Sequence, residues 1–263
     1  MKENFKKKLI KKKQKTCGTL INMGDVCVSD ILSRLGYDFL WLDFEHSYLS
    51  YEQILAHTTI AKANGTGVLV RVPQGDLTAT KKVLEMGVDG IIFPMVKSVD
   101  DIKKMIDFSL YPPEGNRGFG PMGAIHYGLE SAQTYVKSSN KNILLFIQIE
   151  CVDVIKNLDE IMQIDAIDGY IFGPNDLSGS IGELLQVFDE KTTSLIKEAI
   201  CKLKSKNKYI GLATGDMRAE VLKYWSEMGI DMLFAGADYS FIVDGGKRLL
   251  NTLKENHVKN QTK

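Results

Sequence analysis

Apolar residues along this chain recur in short runs rich in β-branched and aromatic side chains, separated by longer stretches with helical periodicity. The runs predict eight strands, at residues 17–21, 39–43, 67–72, 90–94, 143–150, 169–172, 209–213 and 232–235. The intervening stretches predict helices at residues 26–35, 51–64, 78–86, 99–109, 152–162, 192–205 and 218–228. Most of the strands are apolar on both faces, which is typical of a parallel sheet covered by helices.

Several predicted helices pass into the next strand through one short sequence. A Gly follows the last helical turn, and an apolar residue and an Asp come next, as at residues 36–38, 87–89 and 229–231. Gly adopts the left-handed conformation that ends many helices at low cost. An open doubly wound sheet and a closed barrel both satisfy this alternation. Eight strands, and the lack of a Gly-x-Gly-x-x-Gly turn after the first, favour a (β/α)8 TIM barrel with a parallel eight-stranded core.

The composition indicates an ordinary globular protein, with 44% hydrophobic and 25% charged residues. Three regions are predicted. Residues 1–15 form a basic N-terminal helix or extension, residues 16–253 form the catalytic TIM-barrel domain, and residues 254–263 form a polar C-terminal tail.

The net charge of zero conceals a basic start, because residues 1–15 carry eight lysines against one glutamate. The rest of the chain is acidic overall, so we expect no nucleic-acid partner. We interpret the lysine run as the solvated face of a first helix rather than a tether to an anionic surface. The longest purely aliphatic or aromatic run, residues 143–147, is too short to span a bilayer, and no secretion signal is visible. Four scattered cysteines fit reduced thiols, and we expect a cytoplasmic protein with no membrane partner.

Two carboxylates come at the ends of neighbouring predicted strands. Glu150 ends the fifth strand, and Asp176 follows the sixth. In a TIM barrel these ends meet at the catalytic face, where two carboxylates can hold one hard divalent cation and leave positions for water and substrate. Alone, each is better explained as a helix cap or a partner of a surface lysine; together they favour a metal site.

The second and third strands also end in groups that can do chemistry. His46 follows Asp43 by three residues, and a carboxylate that accepts from one imidazole nitrogen makes the other a better base. Arg71 ends an apolar strand, where an unpaired guanidinium would be costly. Its partner is Asp43 or Glu45, or else a substrate carboxylate held by a bidentate pair of hydrogen bonds.

Three further side chains are interpreted as non-catalytic. Lys97 is the one lysine near a strand end and a candidate for Schiff-base chemistry, but the Ser-Val-Asp-Asp that follows indicates a helix start and a solvated side chain. His57 and His126 are interpreted as structural, although the loop that carries His126 is long enough to approach the site.

Six segments resemble, in order, the signatures of the HpcH/HpaI aldolases. They are DFEH at 43–46, VRVP at 70–73, PMV at 94–96, YPPEGNRG at 111–118, QIE at 148–150 and GPNDLS at 173–178. The resemblance extends from about residue 18 to residue 182 and continues more weakly to about residue 250. It implies a divalent-metal-dependent class II aldolase that handles pyruvate-like 2-oxo acids and also decarboxylates oxaloacetate.

The resemblance implies a role at each matching position. Glu150 and Asp176 would bind the metal, with Mg²⁺ or Mn²⁺ expected. Arg71 would stabilise the enolate oxygen. His46, oriented by Asp43, would be the acid and base. The oxo acid would contact the side chain of Arg71 and a second group of residues, namely Gln148, Gly173, Pro174 and Asn175. A homo-oligomer, either a hexamer or a dimer, with an exchanged C-terminal helix, would complete the assembly.

Two departures from the family pattern leave other functions open. Phe44 replaces a residue that is often Gly, so we expect a narrower mouth, and residues 119–128 lack the segment that helps sugar-acid aldolases bind an aldehyde. A citrate-synthase-like condensation of oxaloacetate with acetyl-CoA in siderophore biosynthesis is therefore the first alternative. A non-catalytic metabolite-binding barrel is the second. A phosphate-binding isomerase using the Gly215 and Gly236 loops is the third, although no Gly-rich phosphate loop convincingly precedes a helix.

Overall fold

The chain forms a closed barrel of eight parallel strands in a computed structural model. Each strand pairs with the next along the sequence, and β8 pairs with β1 to close the sheet. The predicted (β/α)8 fold is confirmed. The structure describes residue 6 and residues 15–259, and all but Lys6 and Lys15 of the predicted basic helix lies outside the described residues.

All eight predicted strands are present, with bounds within two residues of those expected. The strands are β1 Thr16–Ile21, β2 Phe39–Asp43, β3 Gly67–Arg71, β4 Gly90–Phe93, β5 Leu144–Ile149, β6 Gly169–Phe172, β7 Tyr209–Thr214 and β8 Met232–Ala237.

The helices lie between the strands and after the last one. They are α1 Cys27–Arg34, α2 Tyr51–Ala63, α3 Leu77–Glu85, α4 Val99–Ser109, α5 Ala132–Asn142, α6 Val152–Lys156, α7 Leu158–Ile161, α8 Pro174–Ser180, α9 Glu190–Ser205, α10 Ala219–Glu227 and α11 Asp238–Lys259. The predicted helix at 152–162 is divided at Asn157 into α6 and α7. The pattern did not predict α5, α8 or α11, and α11 continues past residue 254, where we placed the start of a tail.

The barrel has two apolar layers. Large side chains from the strands fill its interior, among them Trp41, Phe146 and Phe234. A second layer packs between the outer face of the sheet and the helices. The interior is so crowded that a Cβ atom on Gly169 would lie 2.6 Å from the ring of Phe146. The interior is therefore solid, and the strand ends carry the polar groups.

The Gly-apolar-Asp turns occur at the amino-terminal face of the barrel, as the sequence indicated. Gly36, Gly87 and Gly229 have φ values of 97°, 89° and 82°, the left-handed region that favours glycine. Two residues after each of these glycines, an Asp side chain accepts a hydrogen bond from a backbone N–H near the start of the preceding strand. The pairs are Asp38 with Cys17, Asp89 with Val68, and Asp231 with Ile210. Asp168 does the same for Leu145 without the Gly. Acidic side chains therefore connect neighbouring strands at four places around the barrel.

From residue 15 to residue 259, no helix is both long enough and apolar enough to cross a membrane.

Candidate active site

The carboxyl ends of β2, β3, β5 and β6 form one arc of the barrel, which we call the catalytic rim. Asp43 ends β2 and is in register with Arg71, which ends β3. Glu150 follows β5, and Asp176 lies in the first turn of α8, which begins two residues after β6. The structure thus brings the predicted side chains to one face of the barrel, although they are separated by up to 133 residues in the chain.

Arg71 and Asp43 form a buried, two-point ion pair. The Arg71 Nε donates to Asp43 Oδ1 at 3.0 Å, and Nη2 donates to Oδ2 at 2.6 Å. Only 8% of Arg71 and 2% of Asp43 is exposed. Burial alone would raise the pKa of Asp43, but the hydrogen bonds and charge of Arg71 outweigh it and hold that pKa below its usual value. Of the structural partners considered for Arg71, Asp43 is the principal one, and Glu45 Oε2 lies farther away, 3.5 Å from Nε.

The position of His46 corrects one expectation. Asp43 Oδ1 accepts the backbone N–H groups of Glu45 and His46, each at 3.2 Å, so Asp43 orients the loop rather than the imidazole. The His46 ring instead places Nε2 3.7 Å from Glu45 Oε2, and its side chain is 66% exposed. The geometry differs because Arg71 occupies both oxygens of the carboxylate that we expected to hold the ring.

Glu150 is a buried carboxylate held by two donors. Met95 N–H donates to Oε2 at 3.0 Å, and Gln148 Nε2 donates to Oε1 at 2.7 Å. Burial raises the pKa of Glu150 to about 7, the negative charges of Asp176 and Glu45 add to the rise, and Met95 and Arg71 oppose it. Several acidic groups therefore repel one another at this point of the rim, and a cation would relieve that repulsion.

The residues at this point fit a hard divalent cation. Glu150 and Asp176 offer carboxylate oxygens, and Gly173 leaves room beside them, since a Cβ there would lie 2.7 Å from Glu150 Oε1. Within the described part of the chain, no group of three or more His, Cys, Asp or Glu side chains is arranged to hold a metal. Two carboxylates leave positions for water and substrate oxygens, which suits Mg²⁺ where it must also bind substrate.

The remaining predicted substrate residues surround this point. Gln148 is buried, and its Oε1 has no hydrogen-bond partner within the part of the chain that the structure describes. Gly173 precedes α8, Pro174 is the first residue of that helix, and Asn175 is exposed on its first turn. Pro at this position suits a helix start because its ring sets the backbone angle and no N–H is lost from the helix.

Other expectations concerned residues outside the rim. Lys97 is exposed beside the capping box that begins α4, as predicted. His57 is fully buried, and its Nδ1 shares a 2.8 Å hydrogen bond with Ser29 Oγ, so the structural interpretation is confirmed. The ring of Phe44, which we expected to narrow the mouth, packs edge-to-face against Tyr51 at 4.9 Å and joins the outer apolar layer.

The loop at residues 121–128 lies at the opposite end of the barrel from this chain's catalytic rim. Met122 N–H donates to the carbonyl of Glu85, the last residue of α3, and Ala124 packs beside Gly87 in the turn before β4. His126, with φ 48°, is exposed there. The loop therefore does not approach the rim of its own chain.

Two residues to which the sequence assigned no role contact the rim. Met95 has φ 50°, unusual for a residue with a side chain, and this conformation accompanies the N–H that it donates to Glu150. Asn22 directly follows β1 and donates to Asp43. Asn22 was detectable as a polar residue at the carboxyl end of the first strand, whereas the conformation of Met95 has no signal in its residue type.

A closed parallel barrel with an arginine and several acids at the carboxyl ends of its strands is the arrangement of a TIM-barrel enzyme. The family model described as HpcH/HpaI aldolase/citrate lyase matches residues 24–236, and the chain belongs to that family. It is accordingly a carbon–carbon lyase, and the family to which the sequence signatures pointed is confirmed.

Individual relatives resemble the chain over nearly its full length. The hydroxypyruvate/pyruvate aldolase of Deinococcus radiodurans is 27% identical and aligns with 90% of this chain and 85% of its own. The crystal structure of an HpcH/HpaI aldolase from Desulfitobacterium hafniense has a TM-score of 0.88, with 26% identity, and covers 96% of this chain and 98% of that one. The citrate synthase SbnG has a TM-score of 0.84, with 25% identity, and covers 97% and 98%.

Proposed function

We propose that this protein is a divalent-metal-dependent aldolase that forms and uses the enolate of a pyruvate-like 2-oxo acid. The hydroxypyruvate/pyruvate aldolase name of a relative supports this substrate class. The observation that carries the proposal is the buried Arg71–Asp43 pair facing the buried carboxylate of Glu150 across one rim. A fixed positive charge beside a cation-binding carboxylate suits a substrate whose reaction concentrates negative charge on oxygen.

Glu150 and Asp176 are the proposed metal ligands, with Mg²⁺ or Mn²⁺ as the expected ions. When bound, such a cation supplies Lewis-acid stabilisation of negative charge on substrate oxygen, an effect worth several kcal/mol. Gln148 holds Glu150 Oε1 at 2.7 Å, and Met95 holds Oε2 at 3.0 Å. These two donors fix the direction in which the carboxylate faces the rim.

Arg71 is proposed to stabilise the enolate oxygen. Its Nε and Nη2 donate to Asp43, which holds the planar guanidinium in one orientation, and its carbon Cζ lies 5.3 Å from the centre of the Trp41 ring. A preorganised charge of this kind need not move as the negative charge develops. Gln148 and the backbone at Gly173, Pro174 and Asn175 are proposed to complete the oxo-acid site.

His46 is proposed as the acid and base. Its side chain is exposed at the rim, and Nε2 lies 3.7 Å from Glu45 Oε2. Burial raises the pKa of Glu45 itself, partly offset by Arg71 and His46. The proton-transfer pair is thus His46 with Glu45, and Asp43 serves Arg71.

The first prediction tests the enolate chemistry. Purified protein with Mg²⁺ or Mn²⁺ should convert oxaloacetate to pyruvate and carbon dioxide without acetyl-CoA, because loss of carbon dioxide leaves the enolate that this rim stabilises. Arg71→Ala should abolish the reaction, since the developing negative charge loses its fixed countercharge. The measurement is pyruvate release, monitored with a coupled dehydrogenase assay. An exposed ion-paired arginine on α1, tested as Arg34→Ala, is the matched control.

A citrate-synthase-like condensation is the second candidate, favoured by the structural likeness to SbnG. In that reaction oxaloacetate accepts a carbanion from acetyl-CoA. The role of this second candidate would be in siderophore biosynthesis. Release of free CoA only when both substrates are present, with no pyruvate formed, would overturn the aldolase proposal in favour of this one.

The proposal extends to assembly and location. We infer a homo-oligomer, either a hexamer or a dimer. In support, the final turns of α11 are exposed and carry Leu249, Leu250 and Leu253, which water does not favour. We also infer a cytoplasmic location, which the free thiols of the four cysteines support.

A further inference from the structure

Asn22 contacts the ion pair at the centre of the rim. Its Nδ2 donates to Asp43 Oδ2 at 3.3 Å, and the same oxygen accepts from Arg71 Nη2 at 2.6 Å. The other carboxylate oxygen, Oδ1, accepts from Arg71 Nε at 3.0 Å and from the backbone of Glu45 and His46. In the described residues 15–259, Oδ1 therefore has three donors, whereas Oδ2 has two, Arg71 and Asn22.

The backbone of Asn22 is itself held in place. Asp238, which is 2% exposed at the junction of β8 and α11, accepts the N–H of Asn22 at 3.0 Å and of Met23 at 2.8 Å on the same oxygen. The end of β1 is thus attached to the end of β8. A side chain on such a fixed support can set the orientation of the group to which it donates.

The buried amide of Asn22 lowers the stability of the fold, and its packing does not explain why an amide is present. Because Nδ2 donates to a carboxylate, the amide oxygen Oδ1 must face away, where it is buried and has no hydrogen-bond partner among the described residues. A buried acceptor without a donor lowers stability, whereas an apolar side chain of similar size would avoid the loss. Stability alone therefore does not explain Asn22, and what its amide provides is the hydrogen bond to Asp43.

We propose that Asn22 is a positioning residue that acts on catalysis through Asp43 and Arg71. Its donor fixes the rotation of the Asp43 carboxylate, and that rotation fixes the plane of the Arg71 guanidinium above Trp41. This inference rests on the proposed function for its kinetic consequence, because Arg71 matters to turnover only where negative charge develops on a substrate.

The kinetic test replaces the amide with an apolar side chain. In Asn22→Leu, kcat for pyruvate formation from oxaloacetate should fall roughly tenfold, with a smaller change in KM, because a misplaced Arg71 loses contact with the transition state. The melting temperature should stay the same or rise, because the unpaired amide oxygen is removed. Asn22→Ala, which brings no bulk, should lower kcat as well.

Asn64→Leu is the matched control. Asn64 Nδ2 donates to Asp30 Oδ1 at 2.8 Å, between α2 and α1 and away from the rim. The same amide-to-carboxylate bond is lost there, so a general effect of removing such a bond would appear in this variant too. Its kcat should remain that of the unmodified protein.

A second readout does not depend on turnover. The chain contains two tryptophans, so protein labelled with 5-fluorotryptophan gives two fluorine resonances, which Trp225→Phe assigns. Since the Arg71 guanidinium lies over Trp41, the Trp41 resonance should shift in Asn22→Leu and in Asp43→Asn, and in neither case should the Trp225 resonance move. Asn64→Leu should shift neither.

The outcomes separate the inference from the proposed function. If the unmodified protein forms no pyruvate, the proposed function fails, and the fluorine shifts still decide whether Asn22 positions Arg71. If the unmodified protein is active and Asn22→Leu keeps kcat within twofold with an unmoved Trp41 resonance, Asn22 is not a positioning residue. A fall in kcat together with a lower melting temperature and shifts at both tryptophans would also overturn the inference.

Discussion

Single side chains at the catalytic rim differ sharply in what burial does to them. Glu150 and Asp43 are both buried carboxylates, yet burial raises the pKa of Glu150 to about 7, while Arg71 holds the pKa of Asp43 below its usual value. The difference is that Asp43 has a guanidinium in direct contact and Glu150 has only neutral donors. Of these two carboxylates, Glu150 is therefore the one with no cationic side chain in direct contact among the described residues.

A prediction at this scale concerns the two proposed metal ligands. Glu150→Gln and Asp176→Asn should each abolish turnover and weaken Mg²⁺ or Mn²⁺ binding measured by titration calorimetry, because the charge that holds the cation is lost. The melting temperature should change little, because Glu150→Gln removes a buried charge that costs stability and Asp176 is exposed.

Asp153→Asn is the control for that experiment, since Asp153 is an exposed acid on the neighbouring α6 that pairs with Lys156 one helical turn away. It should leave turnover and metal binding unchanged. Full activity of the unmodified protein after exhaustive chelation would refute the metal assignment.

At the scale of elements, His57 connects α2 to α1 and to the loop before it. Its Nδ1 shares a hydrogen bond with Ser29. Burial disfavours the charged ring, whereas the backbone of Met23 and the negative charges of Asp238 and Asp25 favour it. Burial outweighs them and lowers the pKa of His57 below its usual value. The folded protein therefore holds this ring neutral at a pH at which the unfolded chain begins to bind a proton.

This leads to a prediction about pH. A histidine whose pKa is lower when folded contributes stability that is present above the unfolded pKa, about 6.5, and is lost as the pH falls below it. The urea midpoint of the protein should drop between pH 7.5 and pH 5.5, and His57→Gln should show a smaller drop. His126→Gln, at an exposed position, should behave as the unmodified protein does. Equal pH dependence in His57→Gln would show that other groups cause the drop.

At the scale of the whole molecule, the two faces of the barrel have separate tasks. The carboxyl-terminal face carries the rim, and the amino-terminal face carries the acidic side chains that connect β1, β3, β5 and β7 to the strands that follow them. Each of these carboxylates accepts a backbone N–H near the start of a strand, which satisfies a polar group at the amino-terminal edge of the barrel.

Removing one of these connections should therefore destabilise the barrel without changing its chemistry. Asp231→Ala leaves the N–H of Ile210, now 3.0 Å from Asp231 Oδ2, without its acceptor, and should lower the free energy of unfolding by about 1–3 kcal/mol. The measurement is chemical denaturation, and kcat per folded molecule should be unchanged. Asp165→Ala, at an exposed turn, is the control; an equal loss there would indicate a general charge effect.

The sequence by itself predicted the barrel closely, and the reason is physical. A strand in a filled parallel barrel is apolar on both faces, so its signal is a run that stands out from the helices around it. The helices that were missed lack such a signal. In α5 only Ser139 is buried, so no apolar stripe marks it, and α8 is a seven-residue segment that begins at Pro174.

The sequence predicted the candidate site only in part. That Asp43, Arg71, Glu150 and Asp176 belong to one rim follows from topology, because the carboxyl ends of parallel strands meet at one face. Which side chain pairs with which depends on register and rotamer. Arg71 donates to both oxygens of Asp43, and the His46 ring lies beside Glu45 instead. The spacing of these residues in the sequence does not indicate which of them pair.

The sequence alone therefore determined the strand order, the face that carries the candidate site and the resemblance that leads to the lyase family. Only the tertiary structure decided the partner of Arg71, the outward packing of Phe44, the place of residues 121–128 at the far end, and the contact of Asn22 with Asp43. The reason is that periodicity is a property of one chain segment and topology follows from the order of the strands. Each of these contacts instead depends on which of several side chains, distant in the chain, occupies a particular position in the folded protein.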